Sequence, residues 1–342
     1  MTALISWPTL RSPLVVAPMA GGPTTPALVA AVCAAGGTGF LPSGYLTAAQ
    51  LEHNISVLRD DLTARGLPQA SFGVNLFVPT QADRGRDEAA VEAYRRTLGD
   101  AAGAARWDDD DHFGDKVRLL LEVDRVPMVS FTFGCPSADV VEKFHAVGTS
   151  VGITVTDESE AAAAVAVGAD VLVVQGFDAG GHRGTHSVEA VPNRLDALAL
   201  LPLVTSFGLP VVAAGGVATS GDVARLLAAG AVAVQCGTAF LRCPEAGTSA
   251  VHRELLAHAT GTAVTRAFSG RPARGLRNGF MDRFDGQAPS VYPQVDQATK
   301  PLRAAAAAAG DVDGISAWAG AGWSAARAVP VAEVVADLCG GL

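Results

Sequence analysis

The sequence predicts an α/β protein whose core is a closed (β/α)8 barrel, the TIM-barrel architecture. Eight short apolar runs of the β type lie between residues 14 and 237, and helical patterns separate them. Nearly all of these runs consist of Val, Leu and Ala without polar alternation, which is typical of strands covered on both faces. An open, doubly wound sheet is the alternative fold. The eight runs are residues 14–20, 38–44, 71–77, 128–134, 149–155, 171–176, 210–216 and 231–237.

Three segments repeat one αβ unit: a Ser or Thr start, an alanine-rich helical run, a glycine and a short apolar strand. We expect Thr24, Thr156 and Thr219 to cap the three helices. The glycine after each helical run suits the left-handed conformation that commonly follows a helix. The three segments are residues 24–44, 156–176 and 219–237.

Two segments depart from this repeat. Residues 98–116 contain four consecutive aspartates, 108–111, but lack the glycine and the distal glutamate of a calcium loop, so we expect a solvated excursion. Residues 245–315 hold two helical runs and a loop rich in glycine and arginine, and we expect them to cover the barrel mouth. The predicted domains are therefore a barrel of residues 1–244 and 316–342, whose last helix closes the ring, and a smaller extension, 245–315.

The composition indicates an enzyme that acts on small molecules in the cytoplasm. The 342 residues carry a formal net charge of -9 and no cluster of Lys or Arg, so nucleic acid is not expected as a partner. The five cysteines form no CxxC pair, which argues against a disulfide framework and a zinc site; we expect no metal. The N-terminus lacks the pattern of a secretory signal, and no long apolar run predicts a membrane span. The oligomeric state stays open.

Glycine-containing turns follow the seventh and eighth predicted strands. One is "AAGGVATSGD", with Gly215 and Gly216, and the other is "QCGTAF", with Gly237 and Thr238. In a (β/α)8 barrel these two turns commonly bind phosphate, because glycines let the backbone approach closely and exposed N–H groups donate to the anion. We therefore predict a phosphate site here.

Polar side chains stand at the ends of other predicted strands, where barrel enzymes place their reactive groups. Asn75 and Gln175 offer amide donors and acceptors that suit the edge of a heteroaromatic ring. A phosphate site and such a ring edge together fit FMN, which we predict as the cofactor. The stretch "GFDAGGHRGTHS" places His182 after Gly180 and Gly181, where an imidazole can exchange a proton or hold a charge near an anion.

Three more side chains are candidates for contacts with the substrate. Arg183 follows His182 directly and would add a fixed cation at the mouth. His186 and Arg271 are weaker candidates.

The chain resembles the class I nitronate monooxygenases, formerly called 2-nitropropane dioxygenases, from about residue 12 to about residue 325. The resemblance rests on "APMAGGPTTPALVAAVCAAGGTGFLPSGY", "FGVNLFVP", "VVQGFDAGGHRG", "AAGGVAT", "QCGTAFL" and "AFSGRPARGL". It implies oxidation of alkyl nitronates, such as propionate 3-nitronate, with O2 and non-covalent FMN through a flavin semiquinone, giving a carbonyl compound and nitrite or nitrate. It implies His182 as the active-site histidine and these flavin-binding positions: Met19, Gly22, Asn75, Gln175, Gly180, Gly181, Gly215, Gly216, Gln235, Cys236, Gly237 and Thr238.

A nitronate is an anion, so we expect a cationic His182 to hold it against the flavin. The sequence also departs from the family pattern. Asp178 replaces the longer acid of "EAGGH", and "WAGAG" carries Ala321 where "WAGQG" has an amide, which puts one polar contact in doubt. In the less typical stretch "SVYPQVDQATKPLR", Tyr292 and Lys300 are candidates for the substrate pocket.

Two other functions stay open at this point. The same barrel with FMN could use NAD(P)H, as related enoyl-thioester and quinone reductases do, although no GxGxxG follows a strand here. A barrel that binds a phosphorylated metabolite without redox chemistry is the other alternative.

Overall fold

Eight parallel strands form a closed barrel in the computed structural model, which describes residues 11–80 and 82–340. The barrel closes where the eighth strand pairs with the first, with Leu14 opposite Val234 and Val16 opposite Cys236. Each of the eight predicted runs contains one barrel strand, so the (β/α)8 prediction is confirmed and the open sheet is excluded. The barrel strands are β1 (Leu14–Val16), β2 (Thr38–Pro42), β3 (Gly73–Phe77), β4 (Met128–Thr132), β5 (Ser150–Val155), β6 (Val171–Gln175), β8 (Val211–Ala214) and β9 (Ala233–Cys236).

Both faces of the barrel strands are buried, which explains their continuous apolar runs. In β6, Val171 and Val173 point into the barrel interior, whereas Leu172 and Val174 belong to the larger cluster between strands and helices. All six residues of β5 are buried. Because both environments are apolar, these strands are mostly apolar without polar alternation, as is typical of parallel sheets.

Twelve α-helices lie within the described residues. Of the three predicted caps, Thr219 is confirmed, since its hydroxyl accepts from the N–H of Asp222. The other two predictions are wrong by one residue: Thr25 caps the first helix and Asp157 caps the sixth. The helices are α1 (Pro26–Ala34), α2 (Ala48–Ala64), α3 (Arg84–Leu98), α4 (Phe113–Arg118), α5 (Ala138–Ala146), α6 (Glu158–Ala166), α7 (Ala197–Thr205), α8 (Ser220–Ala228), α9 (Ala250–His258), α10 (Gly279–Phe284), α11 (Gln294–Ala309) and α12 (Val331–Cys339).

The predicted left-handed glycines after these helices are also confirmed. Gly36, Gly168 and Gly230 have φ values of 94°, 94° and 105°. Glycine adopts this conformation without the steric cost that a Cβ would bring. None of the helices in the described part of the chain is long and apolar enough to cross a lipid bilayer.

A small antiparallel sheet joins the extension to the loop that carries His182. Its strands are β7 (Gly181–His182), β10 (Thr262–Thr265) and β11 (Ala273–Leu276), in the order β10-β11-β7. Within it, Ala273 pairs with His182 and Arg274 pairs with Gly181. The extension therefore fixes the backbone at Gly181 and His182.

Helix α3, which the prediction assigned to the barrel, packs against the extension. Its Tyr94 belongs to one apolar cluster with Phe268 and Phe280, and the Tyr94 hydroxyl donates to the carbonyl of Ala267 at 2.7 Å. The boundaries proposed at residues 244/245 and 315/316 stay a prediction, and residues 1–10 and 341–342 of the predicted barrel lie outside the described residues.

The aspartate run is a bridge between elements and not the solvated excursion we expected. The Asp111 carboxylate accepts hydrogen bonds from the buried Lys116 ammonium and from the N–H of Tyr45, both at 2.8 Å. Asp109 accepts from the side-chain amide of Gln297 on α11 at 2.7 Å. Partial burial of two of the four aspartates is compensated by these donors.

Candidate active site

A cavity of about 470 Å³ opens at the carboxyl ends of the barrel strands. Its volume lies within the range of about 300–1,000 Å³ that is typical of ligand sites. Gly22 does not line this cavity, although its neighbours Gly21 and Pro23 do. The cavity brings together most of the site residues predicted from the sequence: Met19, Asn75, Gln175, Gly180, Gly181, His182, Gly215, Gly216, Gln235, Cys236, Gly237 and Thr238.

Two turns, residues 215–217 and 237–238, form one part of the lining, and we call them the glycine turns. Gly215 and Gly216 have φ values of 111° and 74°, which only glycine adopts without strain. Within the described residues, no hydrogen-bond acceptor contacts the N–H groups of Gly216, Val217 or Thr238. The turns therefore present free backbone donors to the cavity.

The segment 320–322 connects the two glycine turns. The N–H of Gly320 donates to the Thr238 hydroxyl at 2.9 Å. A Cβ placed on Gly322 would lie 3.4 Å from the carbonyl oxygen of Gly216. Both turns thus contact one short stretch of backbone, and a single anion can reach both.

Asn75 and Gln175 line the cavity in different states of hydrogen bonding. The Asn75 amide donates to the hydroxyls of Ser130 and Thr132 at 2.9 and 3.0 Å, while its Oδ1 contacts no donor among the described residues. The Gln175 amide donates to the His182 carbonyl at 3.0 Å and accepts from Gly184 N–H at 2.8 Å. Asn75 retains a free acceptor, whereas Gln175 holds the histidine loop in place.

His182 stands among aromatic rings at the cavity surface. The ring centroids of Trp318, Phe133 and Tyr292 lie 5.4, 5.8 and 5.9 Å from that of the imidazole. The Nε2 atom of His182 lies 2.8 Å from the hydroxyl oxygen of Ser269, which is itself almost fully buried. The hydrogen bond and the packing fix the orientation of the ring.

The electrostatic setting of His182 corrects the expectation of a cationic imidazole. Burial, together with the positive charges of Arg271 and Arg303, lowers its pKa from 6.5 to about 3. The ring is therefore neutral in the free protein near pH 7. Any contact with an anion depends on a neutral N–H donor.

Arg183 and His186 do not line the cavity. The Arg183 guanidinium donates to the Gln175 carbonyl and lies 3.3 Å from the side-chain oxygen of Asn193. The His186 ring contacts the carbonyl of Thr154 at 3.1 Å. Both side chains contact the protein outside the cavity and stabilise the loop there. The prediction that Arg183 places a cation at the barrel mouth is therefore wrong.

Tyr292, Lys300 and Arg271 also lie outside the cavity lining. Tyr292 is buried against His182, and its hydroxyl lies 3.4 Å from that of Tyr45, which does line the cavity. Lys300 is exposed on α11. Arg271 is fully buried beneath the Phe133 ring, with its charged carbon 4.0 Å from the ring centroid.

Sequence analysis missed four residues that line the cavity. It singled out none of His252, Arg303, Ser316 and Trp318. No local motif marks them, because His252 comes from α9, Arg303 from α11, and Ser316 and Trp318 from the segment that follows the extension. We call this set, with His182, the polar wall: His182, His252, Arg303, Ser316 and Trp318.

The cavity is suited to anions. Among the described residues that line it, Arg303 is the only one with a permanent charge, and none is an aspartate or glutamate. The protein as a whole carries a net charge of -9, so the cavity lining differs from the rest of the chain in the sign of its charge. Negative ligands avoid repulsion by carboxylates here.

Ala321 contributes only backbone to this region. Its N–H donates to the carbonyl of Asp178 at 3.0 Å, and its neighbours Gly320 and Gly322 line the cavity while its own side chain does not. The consequence of an alanine in place of an amide stays a prediction.

Comparisons with known proteins agree with the resemblance seen in the sequence. A sequence model described as nitronate monooxygenase matches residues 5–341, beyond both ends of the predicted match. A nitronate monooxygenase from Pseudomonas aeruginosa is 40% identical, with 96% of this chain and 95% of that protein covered.

Solved structures give the same relationship. Nitroalkane oxidase from Streptomyces ansochromogenes is similar at 41% identity with a TM-score of 0.89, covering 96% of this chain and 95% of the other. FabK from Thermotoga maritima is similar at 26% identity with a TM-score of 0.73, covering 96% and 92%. The likeness extends over the barrel and the extension together.

Proposed function

Because this chain belongs to the nitronate monooxygenase family, we propose that it oxidises alkyl nitronates with O2 by means of FMN bound across the barrel mouth. One observation carries the proposal. The same cavity contains free backbone donors for a phosphate, a half-buried histidine and no carboxylate among its described lining residues. A flavin phosphate and an anionic substrate are both compatible with such a lining.

The residues present fit FMN. The N–H groups of Gly216, Val217 and Thr238 would bind its phosphate, and a Cβ at Gly216 would lie only 3.0 Å from the Cβ of Asp178. The free Oδ1 of Asn75 would accept from the edge of the ring. Bound there, FMN would accept electrons from the nitronate and pass them to O2, with release of a carbonyl compound and nitrite or nitrate.

His182 would bind and orient the nitronate. Its ring is neutral, so it can offer one N–H to an oxygen of the anion. The Ser269 hydroxyl lies 2.8 Å from Nε2 and donates to the carbonyl of Arg271 at 3.4 Å, so it fixes the imidazole relative to the extension. The surrounding aromatic rings exclude water and strengthen this hydrogen bond.

The decisive experiment compares two electron donors on one preparation. Purified protein should contain FMN, consume O2 with pre-formed propionate 3-nitronate, and keep its flavin oxidised when NADPH is added without air. Rapid bleaching by NADPH together with no nitronate turnover would establish the reductase instead. A colourless protein that takes up no FMN would contradict the cofactor proposal.

A further inference from the structure

We propose that Tyr45 limits the length of the substrate by narrowing the opening of the cavity. This inference rests on the proposed function and adds the class of substrate: nitronates with short carbon chains. Tyr45 lies in the loop between β2 and α2. Its side chain lines the cavity and is also 38% exposed, so it stands at the rim where a substrate enters.

The rest of the rim consists of small residues. Within the described part of the chain, five exposed residues line the cavity, and Tyr45 is the only one of them with a large side chain. Its phenol ring therefore sets the width of the opening, whereas backbone atoms and short side chains border the rest. The other four residues are Gly21, Gly247, Ser249 and Ala307.

Tyr45 borders the side of the cavity where we place the substrate. Its hydroxyl lies 3.4 Å from that of Tyr292, whose ring packs against the His182 imidazole with the centroids 5.9 Å apart. The cavity of about 470 Å³ has to hold both FMN and the substrate, so little room remains beyond a nitronate bound at His182. The far end of a longer carbon chain therefore meets the Tyr45 ring.

The backbone of Tyr45 adopts a conformation that normally belongs to glycine. Its φ is 69°, and it is the third residue of a turn that the N–H of Leu46 closes on the carbonyl of Ser43 at 3.1 Å. A positive φ at this position of a turn favours glycine, because a Cβ there costs free energy. Strain of this kind is typical of functional sites, so we attribute it to the placement of the ring.

Two charged side chains hold this turn in place. The Asp111 carboxylate accepts from the N–H of Tyr45 and from the Lys116 ammonium, both at 2.8 Å. Lys116 is only 1% exposed, and it also donates to the carbonyl of Ser43 at 2.8 Å. The ion pair contacts the turn on both sides of Gly44 and is largely shielded from water, so it restrains the turn. Asp111 is therefore a positioning residue for the Tyr45 ring.

The ring is also restrained from the barrel side. It packs edge-on against the Phe77 ring, with the centroids 5.9 Å apart. A Cβ placed on Gly44 would lie 2.3 Å from a carbon of the same Phe77 ring, so the backbone of the turn packs directly on it. The turn therefore has little freedom to move away from the opening.

The test compares two pre-formed nitronates, propyl-1-nitronate and hexyl-1-nitronate, of which the wild-type protein should prefer the shorter. Tyr45→Gly removes the ring and suits the positive φ, so the fold should persist. It should raise kcat/KM for the hexyl compound about 10-fold, while the value for the propyl compound stays within about threefold. Tyr45→Phe retains the ring and should keep the wild-type ratio of the two values.

Asp111→Ala tests the positioning role. Without the carboxylate the turn is less restrained, so the ratio of kcat/KM for hexyl over propyl should rise as in Tyr45→Gly, by a smaller factor. In the double variant the ratio should equal that of Tyr45→Gly alone, because the ring that Asp111 positions is gone. A merely structural role of Asp111 would lower both values and leave their ratio unchanged, which would overturn the positioning role.

The matched control is Leu198→Ala. Leu198 lies on α7, is 39% exposed and is not part of the cavity lining. Its substitution should leave the ratio of the two substrates unchanged. FMN content, measured by absorbance after gel filtration, should equal that of the wild type in all variants.

Each other outcome overturns the inference in a recognisable way. An unchanged ratio in Tyr45→Gly would place the length limit elsewhere, and an equal loss for both substrates would give Tyr45 a role that does not depend on length. A loss of bound FMN in Tyr45→Gly would assign the ring to flavin binding. If the wild-type protein oxidises no nitronate, including propionate 3-nitronate, the proposed function fails; if it oxidises the propyl and hexyl compounds equally well, only the length limit fails.

Discussion

The glycine turns and the polar wall line the same cavity but are built in different ways. The turns offer backbone N–H groups on residues with positive φ, and no charged side chain takes part. The polar wall offers side chains from four separate parts of the chain, including the half-buried, neutral imidazole of His182 and the guanidinium of Arg303. The glycine turns suit a ligand that many barrels bind. In the polar wall, single substitutions can change the groups that face the ligand.

The difference assigns separate tasks to the two regions. Backbone donors bind a phosphate whatever the neighbouring side chains are, so the glycine turns are suited to hold a cofactor. Side chains set the charge and hydrogen bonding next to the substrate, so the polar wall is suited to select it. Substitutions in the two regions should therefore separate cofactor binding from turnover.

The largest effect is expected at the glycine turns. In Gly216→Asp, the new side chain would start 3.0 Å from the Cβ of Asp178 and place a second carboxylate beside the phosphate site. Two unit charges about 4 Å apart repel by about 4 kcal/mol at an effective dielectric of about 20. FMN affinity should fall by about 10²- to 10³-fold, measured by titrating FMN into the apoprotein.

Gly286→Asp is the control for backbone strain. Gly286 has a similar φ of 77° and no neighbour within 4 Å of an added Cβ. It should bind FMN as the wild type does. Equal binding in both variants would show that the phosphate does not bind at the glycine turns.

The next effect is expected at His182. In His182→Ala, kcat/KM for propionate 3-nitronate should fall about 10²-fold, because a hydrogen bond to a charged group is worth about 1.5–3 kcal/mol. Bound FMN should be unchanged. His182→Asn retains an amide donor and should keep part of the activity; an equal loss in both variants would indicate proton transfer instead of simple donation.

A smaller effect is expected from Ser269, which acts through His182. Ser269→Ala should lower kcat/KM about 2- to 10-fold, since one neutral hydrogen bond is worth about 0.5–1.5 kcal/mol. In a His182→Ala background the same substitution should have no further effect. A full additional loss in the double variant would mean that Ser269 acts independently of the imidazole.

The smallest effect is expected from pH. The pKa of His182 in the folded protein, about 3, lies below the free value of 6.5, so the ring stays neutral from pH 8 down to pH 5. With pre-formed nitronate, kcat/KM should change less than about twofold between pH 6 and 8. A step near pH 6.5 that disappears in His182→Ala would show that the imidazole titrates normally.

The fold could be predicted from the sequence because buried strands and helix ends each have a characteristic pattern of neighbouring residues. Strands buried on two faces have no polar alternation, and the glycines after α1, α6 and α8 mark where each helix ends. The glycine turns were equally accessible, since each is a short contiguous motif at a fixed place in the order of strands. The misplaced caps at Thr24 and Thr156 show that exact boundaries are less strongly encoded.

The polar wall could not be predicted, because its geometry depends on contacts between distant segments. Arg183 follows His182 in the sequence, yet successive residues of an extended chain point to opposite faces, and Arg183 turns away from the cavity. On α11, Arg303 and Ala307 line the cavity, whereas Lys300, one turn nearer the start of the helix, is exposed and does not reach it. The basic residue that lines the cavity is therefore Arg303, three positions after the predicted Lys300.

The most direct test of the account is a crystal structure of the protein with FMN and 3-nitropropionate bound. The account predicts FMN phosphate oxygens within about 3 Å of the N–H groups of Gly216 and Thr238, and the nitro group of the ligand within hydrogen-bonding distance of the His182 imidazole. An FMN phosphate on Arg303, with the glycine turns in contact only with water, would contradict it.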